Sequence, residues 1–216
     1  KVSMHHLSNS IWFPNPEEAD KEGLLAFGGD LSVKRLMHAY RSGIFPWFDD
    51  YQPILWWSPD PRMIMFLDDF KVSKSLEKII HKNKFTITYN TCFREVIRNC
   101  SQIKREGQQG TWITSQMQEA YLQLHELGLA TSVEIWLGDE LVGGLYGIDL
   151  IDKKVFCGES MFSKVSDASK VGFYYLVAQL KAKNYQLIDC QMYTTHLERL
   201  GAKEIPRNEF LKHLNR

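Results

Sequence analysis

The chain predicts an α+β fold built on a mixed sheet, and three observations carry that prediction. Short runs of alternating apolar residues mark strands after residue 63, and segments between them repeat apolar residues at spacings of three and four. Two of the strand runs are joined to their successors by two-residue turns, whereas another is followed by a long helix, so strands and helices do not simply alternate.

Residues 1–62 are turn-rich, punctuated by Pro14, Pro16, Gly23, Gly28-Gly29, Gly43, Pro46, Pro53, Pro59 and Pro61. They hold one clear helix, residues 32–42, with Ser32 as its cap and Gly43 as its stop. Trp12, Trp47, Trp56 and Trp57 with Phe13, Phe27, Phe45 and Phe48 are too many rings for an idle loop; most belong in a small core and a few on a rim. This division predicts a small aromatic-rich domain, 1–62, and a larger one, 63–216. The larger part begins with a strand at 63–67, a basic helix at 73–81, a strand at 85–88 and a helix at 91–99. A loop around residues 107–110 leads to a helix at 115–127, capped by Thr114 or Ser115 and stopped by Gly128. Strands at 131–137, 141–150 and 154–161 follow, turning at Gly138-Asp139 and Ile151-Asp152 as an antiparallel meander. A helix at 168–183, a strand at 186–190 and a short helix at 195–200 complete the pattern.

Bulk properties narrow the class. With 216 residues, 44% of them hydrophobic and 24% charged, the composition is that of a globular protein. Apolar stretches are only a few residues long, against the roughly 18 needed to cross a bilayer, and the opening residues show no apolar run with a cleavage site. The expectation is a soluble cytoplasmic protein. Cys92, Cys100, Cys157 and Cys190 form no C-x-x-C pair, the seven histidines are scattered, and no metal site is expected.

A net charge of zero conceals a regional bias. Between Lys71 and Arg105 there are nine Lys or Arg residues against two acids, whereas residues 13–69 carry ten acids against five bases. Lys71, Lys74, Lys78 and Lys82 recur at helical spacing and form one basic ridge, which either faces phosphate or is a solvated surface.

Two polar segments flank the long helix: Gly158-Glu159-Ser160-Met161-Phe162-Ser163 and Asp189-Cys190-Gln191. Each ends or follows a strand, so adjacent strands bring Glu159, Asp189 and Gln191 to one cleft. Asp189 and Gln191 alternate along the strand and share a face. Of the helix's apolar stripe, Phe173, Leu176 and Leu180 either cover the sheet or line a deep cavity walled also by Met161 and Ile188. A carboxylate beside an amide suits acyl transfer to an amine, and with no activated Ser-His pair or cysteine in view, direct transfer is favoured over a covalent intermediate.

At these residues the chain resembles a known family. Gly28-Gly29-Asp30-Leu31-Ser32, Gly43-Ile44-Phe45-Pro46-Trp47-Phe48, Leu55-Trp56-Trp57-Ser58-Pro59-Asp60-Pro61-Arg62, Gly110-Thr111-Trp112-Ile113-Thr114, Glu140-Leu141-Val142-Gly143-Gly144 and the two polar segments look like those of leucyl/phenylalanyl-tRNA–protein transferases. The resemblance implies a C-terminal domain of the GCN5-related acyltransferase fold. It also implies transfer of leucine or phenylalanine, and possibly methionine, from charged tRNA to proteins beginning with arginine or lysine, which marks them for degradation. It implies a donor side-chain pocket of Leu145, Met161, Phe173, Leu176, Leu180 and Ile188, with Trp47 and Trp112 stacking on the terminal adenosine. Asp189, Gln191 and Glu159 would form the reacting centre, Asp189 orienting Gln191 or receiving the proton and Glu159 holding the donor's amino group. The ridge Lys71, Lys74, Lys78 and Lys82 would meet the tRNA backbone. No cofactor is implied, and a monomer is expected. Two rivals remain: an RNA-binding module without catalysis, which leaves the polar cluster without a use, and an acyl-CoA-dependent N-acyltransferase, for which residues 164–169 lack the glycines of a pyrophosphate loop.

Overall fold

A computed structural model describes residues 4–103 and 112–216. The first part carries strand β1 (His5–Leu7), β2 (Leu24–Gly28), helix α1 (Val33–Arg41), β3 (Phe45–Pro46) and β4 (Leu55–Trp57). Then follow β5 (Arg62–Phe66), α2 (Lys74–His81), β6 (Thr86–Tyr89), α3 (Phe93–Ser101), α4 (Ser115–Glu126), β7 (Ala130–Leu137), β8 (Glu140–Leu150) and β9 (Val155–Ser163). The chain finishes with α5 (Ala168–Ala182), β10 (Leu187–Gln191), α6 (Thr195–Arg199), β11 (Lys203–Ile205) and α7 (Arg207–Leu214).

The α+β expectation with a mixed sheet is met. Seven strands run in the order β11-β5-β10-β9-β8-β7-β6, every pair antiparallel except β9 with β10. The meander β7-β8-β9 is antiparallel as expected, but only its first turn has two residues: Leu137 pairs with Glu140, whereas Leu150 pairs with Val155 across a longer loop, and both hairpins carry a bulge. Helix α5 is the crossover that lets β10 lie parallel to β9. Caps set the helix starts: Ser32 Oγ accepts the Arg35 N–H at 3.3 Å and Thr114 Oγ1 that of Met117 at 3.2 Å. Helix α3 has no side-chain cap of its own. Glu134, buried on β7, reaches across instead, its Oε1 accepting the N–H groups of Thr91 and Cys92 at 3.2 and 3.0 Å.

Residues before Arg62 hold more regular structure than their turns suggest: besides α1 they form a four-stranded sheet in the order β1-β2-β4-β3. Its strands are two to five residues long, too short for an alternating pattern to show. Two C-terminal elements, β11 and α7, also went unread in the sequence. Strand β11 has three residues and is an edge, and α7 is anchored mainly through Phe210 and Leu214.

Packing divides by the faces of the seven-stranded sheet. One face, with α3 and α4, shares a continuous core with the four-stranded sheet, running from Leu7 and Trp56 through Val96 and Tyr121 to Phe210. The opposite face is covered by α5 over Met65, Leu145, Phe156 and Ile188. No helix among the described residues is long and apolar enough to cross a membrane.

Candidate active site

Where the two parallel strands part, the sheet opens. β9 and β10 pair only over Leu187 with Val155, Ile188 with Phe156 and Asp189 with Cys157. Beyond those pairs each strand carries a β-bulge. On β9 the register against β8 jumps from Gly158 opposite Gly147 to Ser160 opposite Tyr146, which leaves Glu159 as the unpaired residue. On β10 the register against β5 slips between Asp189 and Gln191. Such bulges bend a strand and re-aim a side chain, and here they turn Glu159 and Gln191 into the fork. Gly147 permits the first: a Cβ there would lie 2.2 Å from the Cys157 carbonyl oxygen.

Gln191 has φ 67°, in the left-handed region, and the Met192 N–H donates to the Cys190 carbonyl at 2.8 Å across it. A two-residue bond spanning a positive φ is the strained form of the γ-turn, costing on the order of 1–3 kcal/mol, and it persists only where its surroundings hold it. Asp189 supplies that hold: its Oδ1 accepts the Gln191 backbone N–H at 2.9 Å.

A cavity of about 430 Å³ fills the fork. Of the residues expected in a donor pocket, Leu145, Met161, Phe173, Leu176 and Ile188 line this cavity. Leu180 does not; one turn beyond Leu176 on α5, it is buried in the core beneath. Trp47 and Trp112 both stand on the wall, and Trp57 Nε1 donates to the Trp47 carbonyl at 2.7 Å. The Gly110-Thr111 segment before Trp112, together with Lys104 and Arg105 and the loop around residues 107–110, lies outside the described residues.

The three polar residues are together but not equivalent. Gln191 Nε2 donates to Glu159 Oε1 at 3.1 Å, and both line the cavity. Asp189 shares their side of the sheet but is 1% exposed and off the cavity wall. Its carboxylate is gripped by Arg62, Nε to Oδ1 at 2.9 Å and Nη2 to Oδ2 at 2.7 Å. A base that must meet substrate needs a reachable oxygen, which Asp189 in this position does not offer.

Glu159 rests in a different setting. The Tyr40 hydroxyl donates to its Oε1 at 2.6 Å, and Tyr121, hydrogen-bonded to Tyr40, therefore donates in turn. Burial pushes the Glu159 carboxyl up to about 8, helped by the negative charge of Asp189 and opposed by the Tyr40 and Gln191 hydrogen bonds. With both donors on Oε1, the proton of the neutral acid belongs on Oε2. Burial and the neighbouring Glu159 hold both tyrosines well above the usual phenol range. The thiols of Cys157 and Cys190 are also pushed up by burial, which disfavours a thiolate nucleophile.

Neither Tyr40 nor Tyr121 was singled out by sequence, since a tyrosine on a helix's buried face carries no mark of its own. Arg62 did leave a signal: it is the charged residue heading the apolar strand run Arg-Met-Ile-Met-Phe, and a buried charge there requires a partner. The predicted basic ridge sits apart from the cavity. All four lysines are exposed, but only Lys74 and Lys78 lie within α2, with Lys82 at its C-cap and Lys71 in the chain before its cap Ser73; α2 packs on the outside of α5. The Lys71 N–H donates to the Leu200 carbonyl at 2.8 Å, tying the ridge to the end of α6, whose His196 and Leu197 edge the cavity.

The family follows from comparison with known proteins. The family model for leucyl/phenylalanyl-tRNA protein transferase matches residues 64–215, and the model for that family's N-terminal domain matches residues 29–60. This chain belongs to that family. A leucyl/phenylalanyl-tRNA–protein transferase of Flavobacterium psychrophilum is 58% identical over 213 residues, covering 99% of this chain and 100% of that protein. One from Flavobacterium johnsoniae is 59% identical over 208 residues, covering 96% and 97%. Among solved structures, L-PGS from Bacillus licheniformis is a distant likeness, 15% identical with a TM-score of 0.44, covering 81% of this chain and 57% of that one. The chain is thus an aminoacyltransferase by family.

Proposed function

We propose that this chain transfers a leucyl or phenylalanyl group, with methionyl a further donor, from the terminal adenosine of a charged tRNA to the α-amine of a protein that begins with arginine or lysine, marking it for degradation. The observation that carries the reading is one cavity whose apolar depth ends on the Glu159–Gln191 pair and whose wall carries Trp47 and Trp112. A leucine- or phenylalanine-sized side chain fits among Leu145, Met161, Phe173, Leu176 and Ile188, and a base stacks on the indoles for roughly 1–3 kcal/mol. The division at residue 62 is part of the proposal: the smaller part supplies Trp47 and Tyr40, the larger part the strands that carry the reacting residues.

In the reaction, the acceptor nitrogen attacks the ester carbonyl carbon, a peptide bond forms, the ester C–O bond breaks, and the amine's proton leaves with the ribose oxygen. Gln191 has its amide nitrogen engaged by Glu159, which turns its carbonyl oxygen to the incoming N–H and positions the amine. Glu159 holds the donor's α-ammonium: an arriving cation stabilises the carboxylate and drives off the proton that the empty cavity favours. Asp189 orients Gln191. Lys71, Lys74, Lys78 and Lys82 meet tRNA phosphates, a salt-dependent contact with little sequence preference.

The test is transfer of radiolabelled leucine from Leu-tRNA to peptides differing only in their first residue, arginine against alanine, with leucyl-CoA as a parallel donor. Labelling of the arginine peptide from tRNA alone is expected. Tight tRNA binding without transfer would instead promote the RNA-binding reading, and labelling from leucyl-CoA the acyl-CoA one.

A further inference from the structure

We propose that Arg62 is a positioning residue of the transfer reaction, one that fixes the spacing between the tryptophan-bearing wall and the Gln191 amide. The proposal rests on the role given to Gln191 above.

Arg62 is 1% exposed, and each of its guanidinium nitrogens has a partner. Two grip Asp189, and the third, Nη1, donates to the Gly43 carbonyl at 2.9 Å. The guanidinium carbon also lies 5.0 Å from the centre of the Phe45 ring and 4.6 Å from that of Phe210. Phe45 lines the cavity two residues before Trp47, and Asp189 holds the strained turn at Gln191. One side chain therefore packs on Phe45 in one wall and, through Asp189, holds Gln191 in the other.

Stability alone does not call for this arrangement. Apolar residues of similar volume often fill the place of a buried ion pair at no loss, so its position beside a strained reacting residue asks for another reason. A guanidinium supplies one: its rigid planar fork fixes direction as well as charge, which a lysine ammonium cannot do. A displacement of about 1 Å between reacting groups can cost about 100-fold in rate, so a gauge between the two walls acts on turnover rather than on affinity.

The test compares three variants of the full chain with the wild type: Arg62→Met combined with Asp189→Leu, Arg62→Lys, and Gln191→Ala. Single-turnover transfer at saturating Leu-tRNA, the Kd for Leu-tRNA and the Tm are measured for each. The charge-free double variant is expected to fold, to bind Leu-tRNA within about threefold of wild type, and to transfer 10- to 100-fold more slowly. Arg62→Lys, which keeps the charge and loses the fork, is expected to slow transfer by about 10-fold at unchanged Kd. A folded double variant within about twofold of the wild-type rate overturns the proposal, as does a loss that appears wholly in Kd. If the double variant does not fold, Arg62→Lys decides by the same criteria. Wild-type transfer by Gln191→Ala removes the underlying role of Gln191, whereas slow Gln191→Ala beside a fast double variant removes the positioning roles of Arg62 and Asp189 and leaves that of Gln191.

Discussion

Two carboxylates stand on neighbouring strands, Asp189 buried in the middle of β10 and Glu159 half-buried at the bulge of β9, and their surroundings differ in kind. Asp189 is met by a full positive charge, in a bidentate pair with Arg62, and by a backbone N–H. Among the described residues, Glu159 takes its hydrogen bonds from neutral donors, the Tyr40 hydroxyl and the Gln191 amide. The first setting satisfies the carboxylate completely and takes it off the cavity wall. The second leaves a group near neutrality, with both hydrogen bonds gathered on Oε1 and a preference that an arriving cation can reverse. On the proposed function, a carboxylate that holds structure and one that answers to substrate are thus told apart by partner charge, not by residue type or position in a motif.

The largest expected effect breaks the first setting. Asp189→Ala leaves Arg62 buried without its counter-charge, which should cost about 3–5 kcal/mol of folding stability, seen as a fall in the urea midpoint at constant slope. A variant that unfolds like the wild type would show that the pair is not the anchor described here. Loss of activity in Asp189→Ala alone therefore says little about chemistry.

Glu159→Gln keeps the shape and removes the titration. The folded pKa of Glu159, about 8, lies above the 4.5 of an ordinary glutamate, so burial of the acid favours folding at low pH and that advantage is lost as pH rises from about 4.5 to 8. The glutamine variant lacks this loss. Its Tm should match the wild type at pH 5 and exceed it above pH 8, by the equivalent of about 2 kcal/mol after allowing for water in the cavity. A difference in Tm that does not change between pH 5 and pH 9 would mean that Glu159 is not held neutral.

The contrast between the carboxylates also marks what was legible in the sequence. Periodicity found the long helices and the meander because each repeats its pattern over many residues, and the order of motifs found the family. The cavity's apolar depth was legible save for Leu180, which lies on the same stripe as Leu176 but one turn too far along α5. What sequence could not show is set by contacts distant in the chain: Arg62 with Asp189 is separated by 127 positions and Tyr40 with Glu159 by 119. The bulges were hidden too, because the insertion of one unpaired residue is a property of the pairing and leaves both strands reading as regular alternation.

Tyr40→Phe sharpens the second setting with a smaller effect. The Tyr40 hydroxyl favours the charged form of Glu159, so its removal should move the carboxyl's midpoint above 8 and cost about 1 kcal/mol in stability. Infrared titration of the carboxyl band, with Glu159→Gln to assign it, reads the shift directly. A midpoint that moves down instead would mean that the hydroxyl is not donating to the carboxylate.

The smallest expected effect lies at the other extreme of environment, on the exposed ridge of α2. Lys74 and Lys78 are exposed, with no ion pair among the described residues, so replacing either with alanine should change folding stability by no more than about 0.5 kcal/mol, as an ordinary surface change does. If they face tRNA phosphates, each substitution should lower the slope of log affinity against log salt by about 1, equally for tRNAs of different sequence. Transfer at saturating donor should stay unchanged, because neither Lys74 nor Lys78 lines the cavity, from which α5 and the end of α6 separate them. An unaltered salt slope would return the ridge to the solvated face that a lysine run most often is, and would leave tRNA binding to be sought elsewhere on the molecule.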